Sequence, residues 1–94
     1  MSVDARQLGF DGTMAVIRDL LVQRFRVKAD SIRQDAPLFD AGVGLTSLEG
    51  MELLAAMEKQ FDIQIKDLEE WIFESPTLAT AAQRILELSE RRAK

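Results

Sequence analysis

The sequence contains no cysteine and no histidine. Without cysteine the chain can form no disulfide, and it offers no thiolate nucleophile, no cysteine–zinc site and no iron–sulfur cluster. Without histidine it lacks the commonest general base and the commonest metal ligand. Catalysis would have to rely on carboxylates, lysines or hydroxyls alone. We therefore expect a protein that is not an enzyme and that has no catalytic residues and no metal site.

Three further absences bound the location and the partners. The net charge is −4, so the chain lacks the basic surface that nucleic acids require. No apolar run approaches the roughly 20 residues of a membrane span. The first residues also lack the basic-then-apolar plan of a signal peptide. We expect a cytoplasmic protein that binds no nucleic acid and enters no membrane.

The composition is otherwise that of an ordinary globular protein, with 47% hydrophobic and 30% charged residues. A length of 94 residues fits one small domain, whose core we place at about residues 13–88. We expect it to be a monomer. The charge is uneven: residues 35–74 hold ten acidic and two basic side chains, a net charge of −8. Such a segment attracts a basic partner surface, although composition alone favours a solvated acidic face kept for solubility.

The apolar spacing predicts helices. A first helix is predicted at about 13–26, capped by Asp11 or Thr13, after a loose lead-in over residues 1–10. A second helix is predicted from a capping box at Thr46 and Glu49 to Phe61. The expected core positions of these helices are Met14, Ile17, Leu21 and Phe25 in the first, and Gly50, Leu53, Leu54, Met57 and Phe61 in the second.

Two more helices are predicted in the rest of the chain. A short one runs from about Asp67 through Trp71–Phe73, and a last one starts at Ser75-Pro76 and continues to about Ser89. The last helix places Leu78, Ala81, Ala82, Ile85 and Leu88 on its apolar side. The chain between the first two helices, with Ile32, Leu38, Phe39 and Val43 as its apolar anchors, is a long loop. The fold class is therefore all-α: a small four-helix bundle of three longer helices and one short helix.

Ser47 is the hydroxyl whose surroundings look arranged for chemistry. It follows the N-cap of the second helix, where unpaired N–H groups and a partial positive charge favour a phosphate. Leu48 falls on the polar side of this helix and Met51 at its border. The pair forms either a docking patch or, for Leu48, a contact beneath the long loop.

The residues from Leu38 to Leu54 resemble the phosphopantetheine attachment region of acyl and peptidyl carrier proteins. The family signature is a glycine shortly before Asp-Ser-Leu, followed by a helix that carries Glu-Leu. The similarity extends over residues 13–88 through further spaced positions: Met57-Glu58, Phe61, Ile63, Ile65, Asp67 and Thr77-Leu78.

The resemblance implies that Ser47 receives 4′-phosphopantetheine from coenzyme A. The arm would supply the thiol that the chain lacks and carry acyl, aminoacyl or polyketide intermediates as thioesters. The implied partners are a phosphopantetheinyl transferase, an acyl- or aminoacyl-loading ligase or transferase, and downstream synthase, condensation or thioesterase enzymes. The residues implied to dock these partners are Thr46, Leu48, Glu49, Met51, Glu52 and Glu58.

Departures from the family pattern favour a free-standing carrier in a specialised biosynthetic pathway, such as polyketide or nonribosomal peptide synthesis. Thr46 stands where the family usually has aspartate, and Ala55 and Lys59 reduce the negative charge of the second helix. An alternative is an adaptor of the same fold that never carries the cofactor. A third hypothesis, a carboxylate enzyme built from Glu69, Glu70 or Glu74 near Trp71, is weaker. Acids on a short helix usually form a solvated face, and Trp71 is expected in the core.

Overall fold

The computed structural model describes residues 3–33, 35, 37, 38, 44–66, 70, 71 and 77–92. Within these residues the chain is helical and contains no strand, which confirms the all-α class. Helix α1 is Ala5–Phe25, α2 is Ser47–Phe61 and α3 is Leu78–Arg92, with a 3-10 turn at Ala29–Ser31. Of the predicted short helix only Glu70 and Trp71 are described, and both are helical. The rest of it lies outside the described residues.

The prediction of a loose lead-in over residues 1–10 is wrong, because α1 already begins at Ala5. The side chain of Asp4 caps the helix by accepting the N–H of Arg6. The N–H of Val3 donates to the carbonyl of Gln60 at 2.7 Å, which ties the chain to the end of α2. Ala5 is fully buried. The core therefore begins well before residue 13. The hydrogen bond between Val3 and Gln60, which are distant in sequence, holds this first turn close to α2.

A kink at Gly9 explains why this first turn is hard to recognise from the sequence. Gly9 has φ 74° and ψ −176°, so helical geometry is interrupted there before α1 continues. Only glycine adopts this conformation readily. The predicted cap by Asp11 or Thr13 is wrong, since both residues lie inside the helix. Thr13 is fully buried.

The three helices pack around one hydrophobic core, with α1 against both α2 and α3. The periodicity located most of the core correctly, and Phe25 and Leu88 are half-buried at its edge. No helix in the described part of the chain is both long and apolar enough to cross a membrane. The predicted core positions found buried are Met14, Ile17, Leu21, Gly50, Leu53, Leu54, Met57, Phe61, Leu78, Ala81, Ala82 and Ile85.

The described part of the loop between α1 and α2 is fastened to this core. Ile32 and Leu38 are buried, as predicted, while Phe39 and Val43 lie outside the described residues. Pro37 forms an isolated antiparallel bridge with Thr77, which brings the loop against the start of α3.

The predicted start of α3 at Pro76 is wrong, because the helix begins at Leu78. Thr77 is paired with Pro37 and caps α3: its hydroxyl accepts the N–H of Thr80 at 3.1 Å. The hydroxyl of Thr80 accepts the N–H of Thr77 in return, at 2.8 Å. Residues 72–76 are not among the described residues, so the proposed cap at Ser75 cannot be placed.

Candidate functional site

The site is built on the N-terminus of α2, whose first residue is Ser47. The hydroxyl of Thr46 accepts the N–H of Glu49 at 3.1 Å, and the carboxylate of Glu49 accepts the N–H of Thr46 at 3.0 Å. This is the predicted capping box. The N–H of Gly50 also donates to the Thr46 carbonyl at 2.8 Å. The helix start is therefore fixed at Ser47.

The residues leading into the site connect it to the core. Gly44 is exposed and has φ 90°, in the left-handed region that favours glycine. Leu45 is buried, and its N–H donates to the carbonyl of Leu38 at 3.1 Å. Thr46 is exposed again. Leu45 thus anchors the backbone one residue before the cap and holds the start of α2 against the protein surface.

Two large apolar side chains that follow Ser47 on α2 are exposed to solvent. Leu48 is 67% exposed and Met51 is 45% exposed. The alternative in which Leu48 packs beneath the loop is therefore wrong. We call Leu48 and Met51 the α2 apolar pair. Exposed apolar side chains beside a capped helix start are typical of a surface that a partner covers.

The three glutamates assigned to docking lie in different environments. The carboxylate of Glu52 is exposed. Glu49 is half-buried and engaged in the capping box. Glu58 is half-buried, and its carboxylate accepts the N–H of Ile65 at 2.9 Å. Glu58 therefore fastens the segment after α2, a role that no local sequence signal indicates.

The residues around Ser47 fit a covalently attached phosphate group. At the first position of a helix, the N-terminal amides and the positive end of the helix dipole favour a phosphodiester. Gly44, Thr46 and Leu48, which lie before and after Ser47 in the chain, are all exposed. The Glu49 carboxylate is held by the Thr46 N–H. This hydrogen bond keeps the carboxylate at the cap.

Trp71, near which the weaker enzyme hypothesis placed its carboxylates, packs in the core. Trp71 is 4% exposed, as expected for a core residue. The Arg84 guanidinium carbon lies 5.5 Å from the centroid of its ring, in cation–π geometry. Glu70 is exposed, and Glu69 and Glu74 lie outside the described residues.

Comparison with known proteins gives a consistent result. The sequence profile of the family described as "Phosphopantetheine attachment site" matches residues 15–85. The acyl carrier protein of Bdellovibrio bacteriovorus is 35% identical over 51 residues, which are 54% of this chain and 64% of that protein. The acyl carrier protein of Sulfurovum sp. is 33% identical over 51 residues, or 54% of this chain and 67% of its own. That of Buchnera aphidicola is 36% identical over 53 residues, 56% of this chain and 65% of its own.

The alignments span less than two thirds of the Bdellovibrio and Buchnera proteins. No solved structure gives a significant match. The profile, in contrast, covers most of the chain, including Ser47 and all three helices in whole or in part. The chain therefore belongs to the phosphopantetheine attachment site family, a family of non-catalytic carriers whose cofactor is covalently attached 4′-phosphopantetheine.

Proposed function

We propose that this chain is an acyl carrier protein and that Ser47 is the residue that bears 4′-phosphopantetheine. The observation that carries the proposal is the position of Ser47 as the first residue of a capped helix, beside the exposed α2 apolar pair. The cofactor supplies a terminal thiol for thioester chemistry. Since the chain has no cysteine of its own, this thiol is the only one on the loaded protein.

Attachment requires a transferase and coenzyme A. The Ser47 oxygen forms a bond to phosphorus while the pyrophosphate linkage of coenzyme A breaks and 3′,5′-ADP leaves. A base of the transferase takes the serine proton. The sulfur of the arm then forms a thioester bond with an acyl group from an activated donor held by a ligase or transferase, while the bond to the donor's leaving group breaks. Synthase, condensation or thioesterase enzymes take the acyl group onward. In this proposal the α2 apolar pair and Glu52 contact those partners, and Thr46 and Glu49 hold the helix start in place.

The cargo belongs to a specialised biosynthetic pathway in this proposal. Thr46 supports this, because a neutral side chain replaces the acid that usually precedes the serine in the family. Ala55 and Lys59 support it as well, since both are exposed on α2 and neither is acidic. A dedicated partner would have to accept this altered surface.

Intact mass measurement tests the attachment site. The chain is incubated with coenzyme A and a broad-specificity phosphopantetheinyl transferase, beside the Ser47→Ala variant and the control Ser31→Ala, whose serine lies in the exposed 3-10 turn. We expect one phosphopantetheine on the wild type and on Ser31→Ala, and none on Ser47→Ala. A thiol titration should rise from zero to one thiol per chain in parallel. Addition to Ser47→Ala would place the cofactor elsewhere and overturn the assignment.

The cofactor-free adaptor is the second candidate, and the replacement of aspartate by Thr46 is the observation that favours it. Failure of the wild type to gain mass with several transferases would support it. The Thr46→Asp variant then separates the two explanations of such a failure. Modification of Thr46→Asp would show a poorly recognised site, whereas its failure as well would leave the adaptor.

A further inference from the structure

A cleft of about 470 Å³ lies where the C-terminal end of α1 meets the middle of α2. Phe25 is half-buried and forms an apolar wall. Ala55 and Ala56 face the cleft with single methyl groups, so little side-chain volume fills it. The lining residues are Arg24, Phe25, Glu52, Ala55, Ala56 and Lys59.

The cleft continues the surface that begins at Ser47. Leu48, Glu52, Ala55 and Lys59 follow one another on α2 at steps of four, three and four, so they share one face of the helix. All four are exposed. A partner that covers the α2 apolar pair therefore reaches the cleft by following α2 towards its C-terminal end.

The charge of the cleft is opposite to that of its surroundings. Arg24 and Lys59 bring two positive charges, against one negative charge from Glu52. Neither Arg24 nor Lys59 forms an ion pair within the part of the chain that the structure describes. The segment of residues 35–74 carries a net charge of −8. Two unpaired cations over an apolar wall favour an anionic group attached to an apolar one.

We propose that this cleft receives an acidic side chain flanked by an apolar residue from the partner enzyme. The apolar residue packs on Phe25 and Ala55, and the carboxylate lies between Arg24 and Lys59. The partner would then contact α2 with charges of both signs, positive near Glu52 and negative near Lys59. This pattern of charges favours such a partner over one with a uniformly basic surface. This inference rests on the proposed carrier function for the identity of the occupant as a partner enzyme.

An NMR titration of the unmodified chain tests the cleft directly. The probe is a short synthetic peptide in which glutamate alternates with leucine, and the comparison peptide has lysine in place of each glutamate. We expect the acidic peptide to shift the amide signals of Arg24, Phe25, Ala55 and Lys59, and the basic peptide to leave them unchanged. The experiment needs no cofactor, so its failure and a failure of Ser47 modification are separate results.

Variants define which feature binds the peptide. Arg24→Glu with Lys59→Glu should weaken binding about tenfold, since two attractive charge pairs become repulsive. The matched control, Arg18→Glu with Lys66→Glu, makes the same charge change at exposed residues that do not line the cleft and should change binding less than twofold. Ala55→Leu should also weaken binding, by filling the cleft without changing charge. If the Arg24–Lys59 double variant loses its far-UV circular dichroism signal, the two alanine replacements at these positions give the same test.

Several outcomes would overturn the proposal. One is the absence of localised shifts with the acidic peptide. Another is equal weakening by the two double variants, which would mean general electrostatic attraction rather than a site. Equal binding of the basic peptide would remove the charge preference. Shifts at the cleft that grow with protein concentration alone would assign it to a second copy of the chain instead.

Discussion

Glu58 makes a contact in the structure that the sequence did not indicate, and Glu58→Ala tests how much that contact stabilises the fold. In the structure its carboxylate accepts the N–H of Ile65 at 2.9 Å and is half-buried. This bond holds the segment after α2 so that Ile63 and Ile65 enter the core. The segment alternates buried and exposed residues without becoming a strand in the described chain.

The expected loss of stability follows from three contributions. A hydrogen bond to a charged group contributes about 1.5–3 kcal/mol. Two effects of the substitution increase stability and partly offset the loss of this bond. The first is that alanine is a better helix former than glutamate by a few tenths of a kcal/mol. Removing a negative charge near the C-terminus of α2 also relieves about 0.3–1 kcal/mol of unfavourable dipole interaction. We therefore expect Glu58→Ala to lower the free energy of unfolding by about 1–2 kcal/mol, or roughly 5–15 °C in Tm.

Urea unfolding followed by far-UV circular dichroism and by the fluorescence of Trp71, the one tryptophan of the chain, measures this loss. The matched control is Glu52→Ala, the same change at an exposed residue of the same helix, with an expected effect within about 0.5 kcal/mol. Glu58→Gln keeps an acceptor and should fall between the two. If Glu58→Ala is no less stable than Glu52→Ala, the bond to Ile65 contributes nothing and the reasoning is refuted.

Three further predictions concern the fold, each checked by urea unfolding. Thr46→Ala should lower the free energy of unfolding by about 1 kcal/mol, because it removes the capping box. Thr46→Asp should retain most of the stability, since aspartate also caps helices. Equal losses in the two variants would contradict a capping role for Thr46. Gly9→Ala should cost about 1–3 kcal/mol from its positive φ alone, since no atom lies within 4 Å of the added methyl group, and an unchanged midpoint would mean that the kink is dispensable. Ile85→Ala should lower the free energy of unfolding by about 2–5 kcal/mol, because Ile85 is fully buried in α3. Leu88→Ala should lower it by less, because Leu88 is only half-buried. A larger loss for Leu88→Ala than for Ile85→Ala would contradict this packing.

The sequence alone identified the features that depend on residues close together in the chain. The capping box at Thr46 and Glu49 needs only a spacing of three, so both the start of α2 and the position of Ser47 were predictable. The core faces of the helices follow from apolar residues at steps of three and four. Leu48 could be recognised as lying off the core face of α2 for the same reason, although its exposure could not be decided from the wheel.

The tertiary structure decided the features that join segments distant in sequence. The bond from Val3 to Gln60 joins the start of α1 to the end of α2, and the pairing of Thr77 with Pro37 joins the start of α3 to the loop. The cleft of Arg24 and Lys59 exists because the end of α1 packs beside the middle of α2. Local spacing carries no information about such contacts, since they are set by how the helices pack against one another. The sequence therefore determined the position of the proposed cofactor site, and the packing of α1 on α2 determined the charge and shape of the surface beside it.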